Sequence, residues 1–394
     1  MGQKVSTKRR LAFVIHDMNS WGGQDRSTLE IARRLSRKWP IDVYSFTLEN
    51  KEARDAGGLS FHPVGPNVAR PVLVKSLFFY ANTLLPLWLM PKISRSRAPL
   101  IHATGACSLV SDIIHVQFIH AAWRDAPMSL LHDSRGIYQN ILRQFNLQSE
   151  KKIFTKQKIY IAISNSVARD LHRYYGIEDG IRVIHHGVDS KEFHPSAKNR
   201  KSVRASLKIS SSELMIVFVG AFERKGLSVS IDALARLSVE TRARVKLIAI
   251  GSGDRTFFEA HARNRGVRAH VEFVEHTREI LPYYQAADIF LLPTIYEPFG
   301  LVIVEAMACA LPCVVSACAG ASELLKDQET GSLIQNPLNV SEVAARLEQL
   351  ILNENMRRKM ADNARQVAEG RSWDTVAEEY ADFLEPWVTG EQES

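Results

Sequence analysis

Residues 288–305 read DIFLLPTIYEPFGLVIVE, and this stretch decides the fold. DIFLLP (288–293) has the length and apolar continuity of a strand buried on both faces. A loop broken by Pro298 and Gly300 follows. The next residues, from about Gly300 to Ala310, read as a helix carrying Leu301, Val304, Glu305 and Ala308. Strand, loop and helix in so short a span form half of a parallel βαβ unit. The unit recurs on either side. LMIVFVG (214–220), VKLIAIG (245–251), VEFV (271–274) and PCVVS (312–316) are further strands with helical sequence between them. The second half of the chain is therefore a doubly wound sheet.

The first half repeats the alternation. LAFVI (11–15) is a strand, and Asn19-Ser20-Trp21-Gly22-Gly23 is a glycine-bearing loop. A helix runs from about Ser27 to Lys38, and IDVYSF (41–46) is the next strand. KIYIA (158–162) and IRVI (181–184) are strands. Between them Ser164-Asn165-Ser166 offers caps for a helix that Gly176 ends. His185-His186-Gly187-Val188-Asp189 reads as the crossing between two domains. The expected architecture is α/β: two Rossmann-like doubly wound domains facing across a cleft, with ligands at the carboxyl ends of the strands.

Length and composition agree. The 394 residues suit two domains, and 45% hydrophobic with 24% charged residues is globular. The net charge of +7 hides an asymmetry: residues 1–187 carry 26 basic and 14 acidic side chains, against 24 and 29 in residues 188–394. A first half at +12 and a second at −5 suggest that the first meets something anionic: lipid, a phosphorylated glycan or nucleic acid. Cys107, Cys309, Cys313 and Cys318 form no CxxC pair, which argues against a zinc site and for reduced, packed thiols in a cytoplasmic protein. The five-residue apolar run after the basic start is too short for a signal peptide. SLFFYANTLLPLWLM (76–90) is uncharged, interrupted by Pro86, and flanked by Lys75, Lys92, Arg95 and Arg97. It is too short to span a bilayer and fits either an interfacial segment or a buried helix.

The chemistry gathers in Glu297-Pro298-Phe299-Gly300-Leu301-Val302-Ile303-Val304-Glu305. One carboxylate precedes a helix and the other sits about a turn and a half into it, under ~10 Å from the helix start. The amides of Phe299, Gly300 and Leu301 at the helix N-terminus suit a phosphate. Carboxylates bind hydroxyls well and phosphates badly, so each should face a sugar ring. A nucleoside diphosphate with polar groups on both sides fits the pattern.

YEPFGLVIVEAMACALPCVVS resembles the E-x7-E segment of retaining glycosyltransferases of the GT-B fold, family 4, the group 1 transferases. VGAFERKGLSVSIDAL resembles that family's strand, basic loop and helix. SNSVARDLHRYYGIEDGIRVIHHGVDSKEFHP resembles its interdomain crossing, YYQAADIFLLPTIYEPFG the approach to its donor site, and RSWDTVAEEY its final helix. The resemblance covers nearly the whole chain and is greatest to lipopolysaccharide-core glucosyltransferases. It implies an N-terminal acceptor domain (1–187), a C-terminal nucleotide-sugar domain (188–375) and a last helix (376–394) packing back on the first domain. It also implies that Glu297 holds hydroxyls of the donor sugar, Glu305 holds the ribose, and Arg224 and Lys225 contact the diphosphate. Gly22 and Gly23 match a flexible loop approaching the donor and acceptor. Thr277 lies where the nucleobase rests. A family histidine near the anomeric carbon corresponds to His120 by its spacing from Asp112, with His115 and His16 as lesser candidates.

Two departures stand out. Ala221 replaces a frequent arginine, which removes one of the diphosphate contacts that the resemblance implies. Ala319-Gly320-Ala321-Ser322-Glu323 replaces the usual Gly-Gly before Pro-Glu. Gly251-Ser252-Gly253 is a partial phosphate-loop pattern only.

The function expected is metal-independent, retaining transfer of a hexose from a nucleotide-diphosphate sugar. UDP-glucose is favoured, with GDP-mannose next, and no cofactor is implied. The acceptor expected is lipid-linked, lipopolysaccharide or polysaccharide, at an anionic membrane surface on the cytoplasmic side. The rivals are a GT-B nucleotide-sugar epimerase, a binding protein without catalysis, and a nucleic-acid binder. The last lacks any recognised motif.

Overall fold

The computed structural model describes residues 9–20, 22–49, 58–66, 71–93, 98–127 and 136–390. Trp21, Arg95, Arg97 and the tail after Gly390 lie outside them. The chain divides into two compact units: residues 1–125, 132–186 and 373–394, and residues 126–131 and 187–372.

In the first unit the chain runs β1 (Leu11–Val14), β2 (Asp17–Met18), α1 (Gly23–Leu35), β3 (Ile41–Ser45), β4 (Thr47–Leu48), β5 (Leu59–Pro63) and α2 (Val72–Ile93). It continues β6 (Leu100–Thr104), β7 (Ile113–Val116), α3 (His120–Asp125), α4 (Ile137–Ile153), β8 (Ile159–Ala162), α5 (Asn165–Tyr175) and β9 (Ile181–Val183). The main sheet is parallel in the order β5-β3-β1-β6-β7-β8-β9. Its central strands are buried along their whole length, as helices on both faces require. In α5 the Ser164 hydroxyl accepts from the Val167 amide, and Gly176 closes the helix at φ 64°.

Helix α2 resolves the ambiguous uncharged stretch. It begins four residues earlier than 76, and Ser76, Phe79, Thr83 and Leu87 line its buried side. Leu77, Leu84 and Leu85 point to solvent, so the described side chains of 76–87 divide between core and exposed apolar surface. Among the described residues no helix is long and apolar enough to cross a membrane.

The second unit runs α6 (Ala197–Ser206), β10 (Leu214–Val219), α7 (Leu227–Arg236), α8 (Val239–Ala243), β11 (Val245–Gly251), α9 (Arg255–Asn264), β12 (Val271–Glu275), α10 (Leu281–Ala286) and β13 (Ile289–Leu292). Then follow α11 (Leu301–Ala308), β14 (Cys313–Ser316), β15 (Ser332–Ile334), α12 (Val340–Leu352) and α13 (Glu354–Gly370). The sheet is parallel, in the order β12-β11-β10-β13-β14-β15. Strand order reverses between β10 and β13, so the loops leaving those two strands diverge and open a crevice at their carboxyl ends.

The last helix, α14 (Trp373–Thr389), belongs to the first unit and packs on α1. Trp373, Val376, Tyr380, Leu384 and Val388 form its buried stripe, at helical spacing. Arg34 reaches Asp374 at 2.8 Å and Lys38 reaches Glu385 at 3.0 Å along its edge.

Candidate active site

The loop after β10 carries Arg224 and Lys225, and the loop after β13 carries Glu297. The two loops touch because residue 226 is glycine. Gly226 holds φ 83°, and a Cβ there would come 2.1 Å from the Pro293 carbonyl oxygen. Across this contact Lys225 Nζ lies 2.9 Å and Arg224 Nη1 3.4 Å from the same oxygen, Oε2 of Glu297. Glu297 and Lys225 are each only 7% exposed. Burial alone would raise the Glu297 carboxyl pKa. The charges of Lys225 and Arg224 outweigh it and hold the carboxyl below its usual range. Glu297 is thus a fixed anion with two cations beside it.

The main chain around Glu297 is braced by the turn Ala319-Gly320-Ala321-Ser322-Glu323, which departs from the usual Gly-Gly before Pro-Glu. The Gly320 amide donates to the Glu297 carbonyl at 2.9 Å and the Ala321 amide to the Phe299 carbonyl at 2.8 Å. A 3-10 turn, Gly320–Leu324, begins there, so the turn survives the substitutions. The Cys318 thiol donates to the Thr294 carbonyl at 3.3 Å and ties the same loop down.

Helix α11 starts one residue later than the sequence suggests. Gly300 is its cap at φ 95°, and a Cβ there would press within 3.1 Å of Glu297 Cγ and of Ile303 Cδ1. The amides at the helix mouth are those of Gly300, Leu301 and Val302. Phe299 lies just outside, its side chain buried. No side chain caps the mouth, which leaves it suited to an anion. Glu305 is buried within α11, and its Oε2 accepts from the Tyr284 hydroxyl of α10 at 3.0 Å. Thr277 lies on the loop after β12, at the same end of the sheet. Its Oγ1 accepts from the Glu279 amide at 3.1 Å, so the hydroxyl braces its own turn. The structure therefore brings Arg224, Lys225, Glu297, Gly300, Leu301 and Glu305 to the ends of neighbouring strands. Arg224, three residues beyond Ala221, sits on Glu297.

The first unit has its own crevice where its strand order reverses, between β1 and β6. A cavity of about 260 Å³ opens there, lined among others by His16, Gln24, Thr104, His120, Asn146 and Glu150. His120 opens α3, its ring 5.0 Å from that of Phe118. Burial lowers its pKa to about 4, so the imidazole is neutral at physiological pH. His16 lines the same cavity, packs on Phe79 at 4.5 Å, and is likewise lowered to about 4, by burial and then by Lys75. His115 is different. It is fully buried in a ring cluster with His102, His186 and Tyr380, away from the cavity lining. Gly22 caps α1 and Gly23 is its first residue. The Gly22 amide faces Asn19 Oδ1 at 3.4 Å, and Asn19 Nδ2 donates to Asp25 at 2.9 Å.

Two residues escaped the sequence reading. Tyr284 fixes Glu305, and its only signal was its place in the YYQAAD approach. Glu150, 1% exposed, accepts from the His120 amide at 2.7 Å, from the Ala121 amide at 3.3 Å and from the Tyr175 hydroxyl. Burial outweighs these bonds and pushes its carboxyl up to about 7. It stands in the polar run 148–152, which carries no motif.

Comparison with known proteins gives the family and the fold. The family profile "Glycosyl transferases group 1" matches residues 199–367, and "Glycosyltransferase Family 4" matches residues 21–192. An uncharacterized glycosyltransferase of Methanocaldococcus jannaschii is 32% identical over 227 residues, covering 56% of this chain and 57% of that protein. The lipopolysaccharide glucosyltransferase WaaG of Escherichia coli K12 is 28% identical over 225 residues, covering 56% of this chain and 60% of its own length. The chain thus spans under two thirds of both relatives in these matches. A crystal structure of WaaG superposes with TM-score 0.73 at 21% identity, covering 95% of this chain and 99% of the other. Anabaena HepE in complex with UDP-glucose superposes with TM-score 0.71 at 21% identity, covering 96% and 99%. At these identities the superpositions speak for the fold alone.

Proposed function

Because the chain belongs to the group 1, family 4 glycosyltransferases and has their GT-B fold, we propose that it is a retaining hexosyltransferase using a nucleotide-diphosphate sugar, UDP-glucose first. The acceptor in this reading is a lipid-linked or lipopolysaccharide-type glycan, and no metal is required. The observation that carries the reading is the buried Lys225–Glu297 pair, with Arg224 on the same oxygen, beside an uncapped helix mouth and a second buried carboxylate, Glu305.

The chemistry follows from the charges. Glu297, kept ionised, accepts hydrogen bonds from hydroxyls of the donor sugar, and Glu305, oriented by Tyr284, accepts from the ribose. The diphosphate lies near the amides of Leu301 and Val302 and the two cations. In transfer, the bond from the anomeric carbon to the phosphate oxygen breaks and a bond to the acceptor oxygen forms on the same face. The acceptor proton passes to the leaving phosphate. Arg224 and Lys225 stabilise the charge growing on that phosphate. The cavity of the first unit would take the acceptor. There neutral His120, its main chain tied to Glu150, offers a hydrogen bond rather than a base. Gly22 and Gly23 stand at the start of α1, next to Gln24 of the cavity wall, and Thr277 borders the base.

A membrane location is part of the proposal. Leu77, Leu84 and Leu85 of α2 and Ile137 and Ile141 of α4 are exposed in the unit that holds most of the basic half. We read this surface as resting on anionic lipid at the cytoplasmic face. Sedimentation with anionic liposomes at low salt tests it, and no affinity would remove the membrane from the reading.

The central test is a panel of UDP-, GDP- and ADP-sugars incubated with the protein in EDTA, with release of nucleoside diphosphate and sugar followed by mass spectrometry. Slow hydrolysis of one donor is expected. An isomerised nucleotide sugar would mark an epimerase instead. Glu297→Ala should abolish transfer while the fold persists, and near wild-type turnover would refute its role.

A further inference from the structure

The second unit has another cavity, at the opposite end of its sheet from Glu297. It is about 470 Å³ in volume. Residues at the amino ends of β10, β11, β13 and β14 form its floor, and α6 and α13 form its walls. Arg200, Arg244, Arg357 and Arg358 line it, together with Ser211 and Ser212. Two carboxylates also line it, Asp288 and Glu354.

These carboxylates do not neutralise the cavity. Asp288 is taken up by Arg200 at 2.6 Å and by Arg204, just behind the wall, at 2.9 Å. Glu354 pairs with Arg358. Arg244 and Arg357 form no ion pair with a described carboxylate. Arg357 gives Nη1 to the Leu350 and Ile351 carbonyls at 2.7 and 3.3 Å, the last turn of α12, which leaves its other nitrogens uncommitted. It is half-buried. Burial lowers its pKa, against the pull of Asp288 and then Glu354, with the like charges of Arg244 and Arg358 as the smaller contributions. Four guanidiniums against two carboxylates leave the lining with an excess of positive charge, which a bound anion would balance. The chain accepts a second cost at the same wall: Ala310, which lines the cavity, is held at φ 55°, a conformation that favours glycine.

We propose that this cavity binds a phosphate monoester. The guanidiniums of Arg244 and Arg357 would grip the phosphate, and the Ser211 and Ser212 hydroxyls would donate to it. The volume exceeds that of a bare phosphate and leaves space for a small polar body such as a sugar. The concave shape favours a small molecule over an acidic protein segment. The site is separate from the donor crevice, since it lies at the amino ends of strands whose carboxyl ends carry Arg224 and Glu297.

The test is titration calorimetry of the full chain with inorganic phosphate and, separately, a hexose 6-phosphate, at ionic strength held constant with sodium chloride. Saturable binding is expected, tighter for the ester. Arg244 is exposed and pairs with no described carboxylate, so Arg244→Glu should leave the fold intact. That variant should weaken binding at least about tenfold, while Arg244→Lys recovers part of it. Arg224→Ala, at the donor loops, should leave this binding in place. The proposal is overturned if no saturable binding occurs. It is equally overturned if binding survives Arg244→Glu and disappears in Arg224→Ala, which would put the phosphate at the donor loops. An acidic peptide that binds through Arg244 where both phosphates fail would assign the face to a protein partner.

Discussion

Replacing Lys225 by Met tests the electrostatics of the candidate site most directly. Methionine reproduces the lysine stem as far as Cε, so it still covers Gly220, where a Cβ would lie 2.5 Å from Lys225 Cδ. What is lost is the charge 2.9 Å from a carboxylate that is 7% exposed. Breaking a buried pair on one side costs about 3–5 kcal/mol, because the other charge stays buried. Arg224 remains 3.4 Å away, with its side chain 31% exposed, and compensates in part. The lower end, about 3 kcal/mol, is therefore expected at pH 8.

The pH dependence supplies the sharper criterion. In the wild type the folded Glu297 carboxyl lies below its unfolded value of 4.5. It adds stability above that value, and the gain is lost as pH falls through the folded pKa. In Lys225→Met burial dominates and the folded pKa rises above the unfolded one. The carboxyl then takes up a proton as the solution becomes acid, so the deficit relative to wild type shrinks towards pH 5. Adding Glu297→Gln to Lys225→Met should recover much of the loss at pH 8. All six tryptophans fall in the first unit. Urea unfolding of the second unit is therefore followed by far-ultraviolet circular dichroism, with tryptophan fluorescence reporting the first unit as a control. A deficit equal at pH 5 and pH 8, or strictly additive effects in the double variant, would refute the claim that Lys225 keeps Glu297 ionised.

Tyr284→Phe removes the hydroxyl that donates to buried Glu305 at 3.0 Å. It should cost about 2 kcal/mol in unfolding and raise the donor KM more than it lowers kcat; unchanged steady-state kinetics would show that Glu305 needs no orienting partner. Ala310→Gly relieves a left-handed residue at the end of α11. A net gain of about 1 kcal/mol, or about 2–4 °C in Tm, is expected by calorimetry after subtracting the entropy cost of glycine. Glu150, raised to about 7, loses its proton on unfolding between about pH 4.5 and 7, so it withdraws stability as pH rises through that window. Glu150→Gln should flatten this component, read as the difference from wild type by tryptophan fluorescence. The difference is needed because His16, His102 and His120, all lowered to about 4, drive stability the opposite way as pH falls below 6.5.

The sheets were legible because a parallel strand covered on both faces needs unbroken apolar residues. LMIVFV and VKLIAIG can satisfy little else, and the observed strands match them within a residue. Helix α5 was legible to its ends because Ser164 and Gly176 are chemical stop signs. The pattern failed where burial was not the driving force. β2 and β4 are two-residue strands that include Asp17 and Thr47, and their pairing depends on position rather than hydrophobicity. Helix α1 begins at Gly23 rather than Ser27, because Gly22 can cap it without a side-chain hydrogen bond. The exposed leucines of α2 could not be told from its buried phenylalanine and leucine, since composition alone carries no direction.

The site divides along the same line. Each of Arg224, Lys225, Glu297 and Glu305 was recognisable from its own neighbours. That both cations meet one oxygen of Glu297 was not, because it depends on a glycine at 226 letting one loop reach the next strand. Glu150 was invisible for the same reason, standing thirty residues from the amide it holds. The contrast between these two buried carboxylates gives the site its chemical sense. Glu297 faces two cations and stays an anion, a constant acceptor for hydroxyls. Among the described residues Glu150 accepts from two amides and a phenol, and burial lifts it to about 7. The same side chain under nearly the same burial is therefore fixed in one unit and titratable near neutrality in the other. The difference lies in the neighbours that the fold delivers, and these are distant in sequence. A change of pH from 8 to 6 should accordingly leave Glu297 untouched and act on the segment that carries His120.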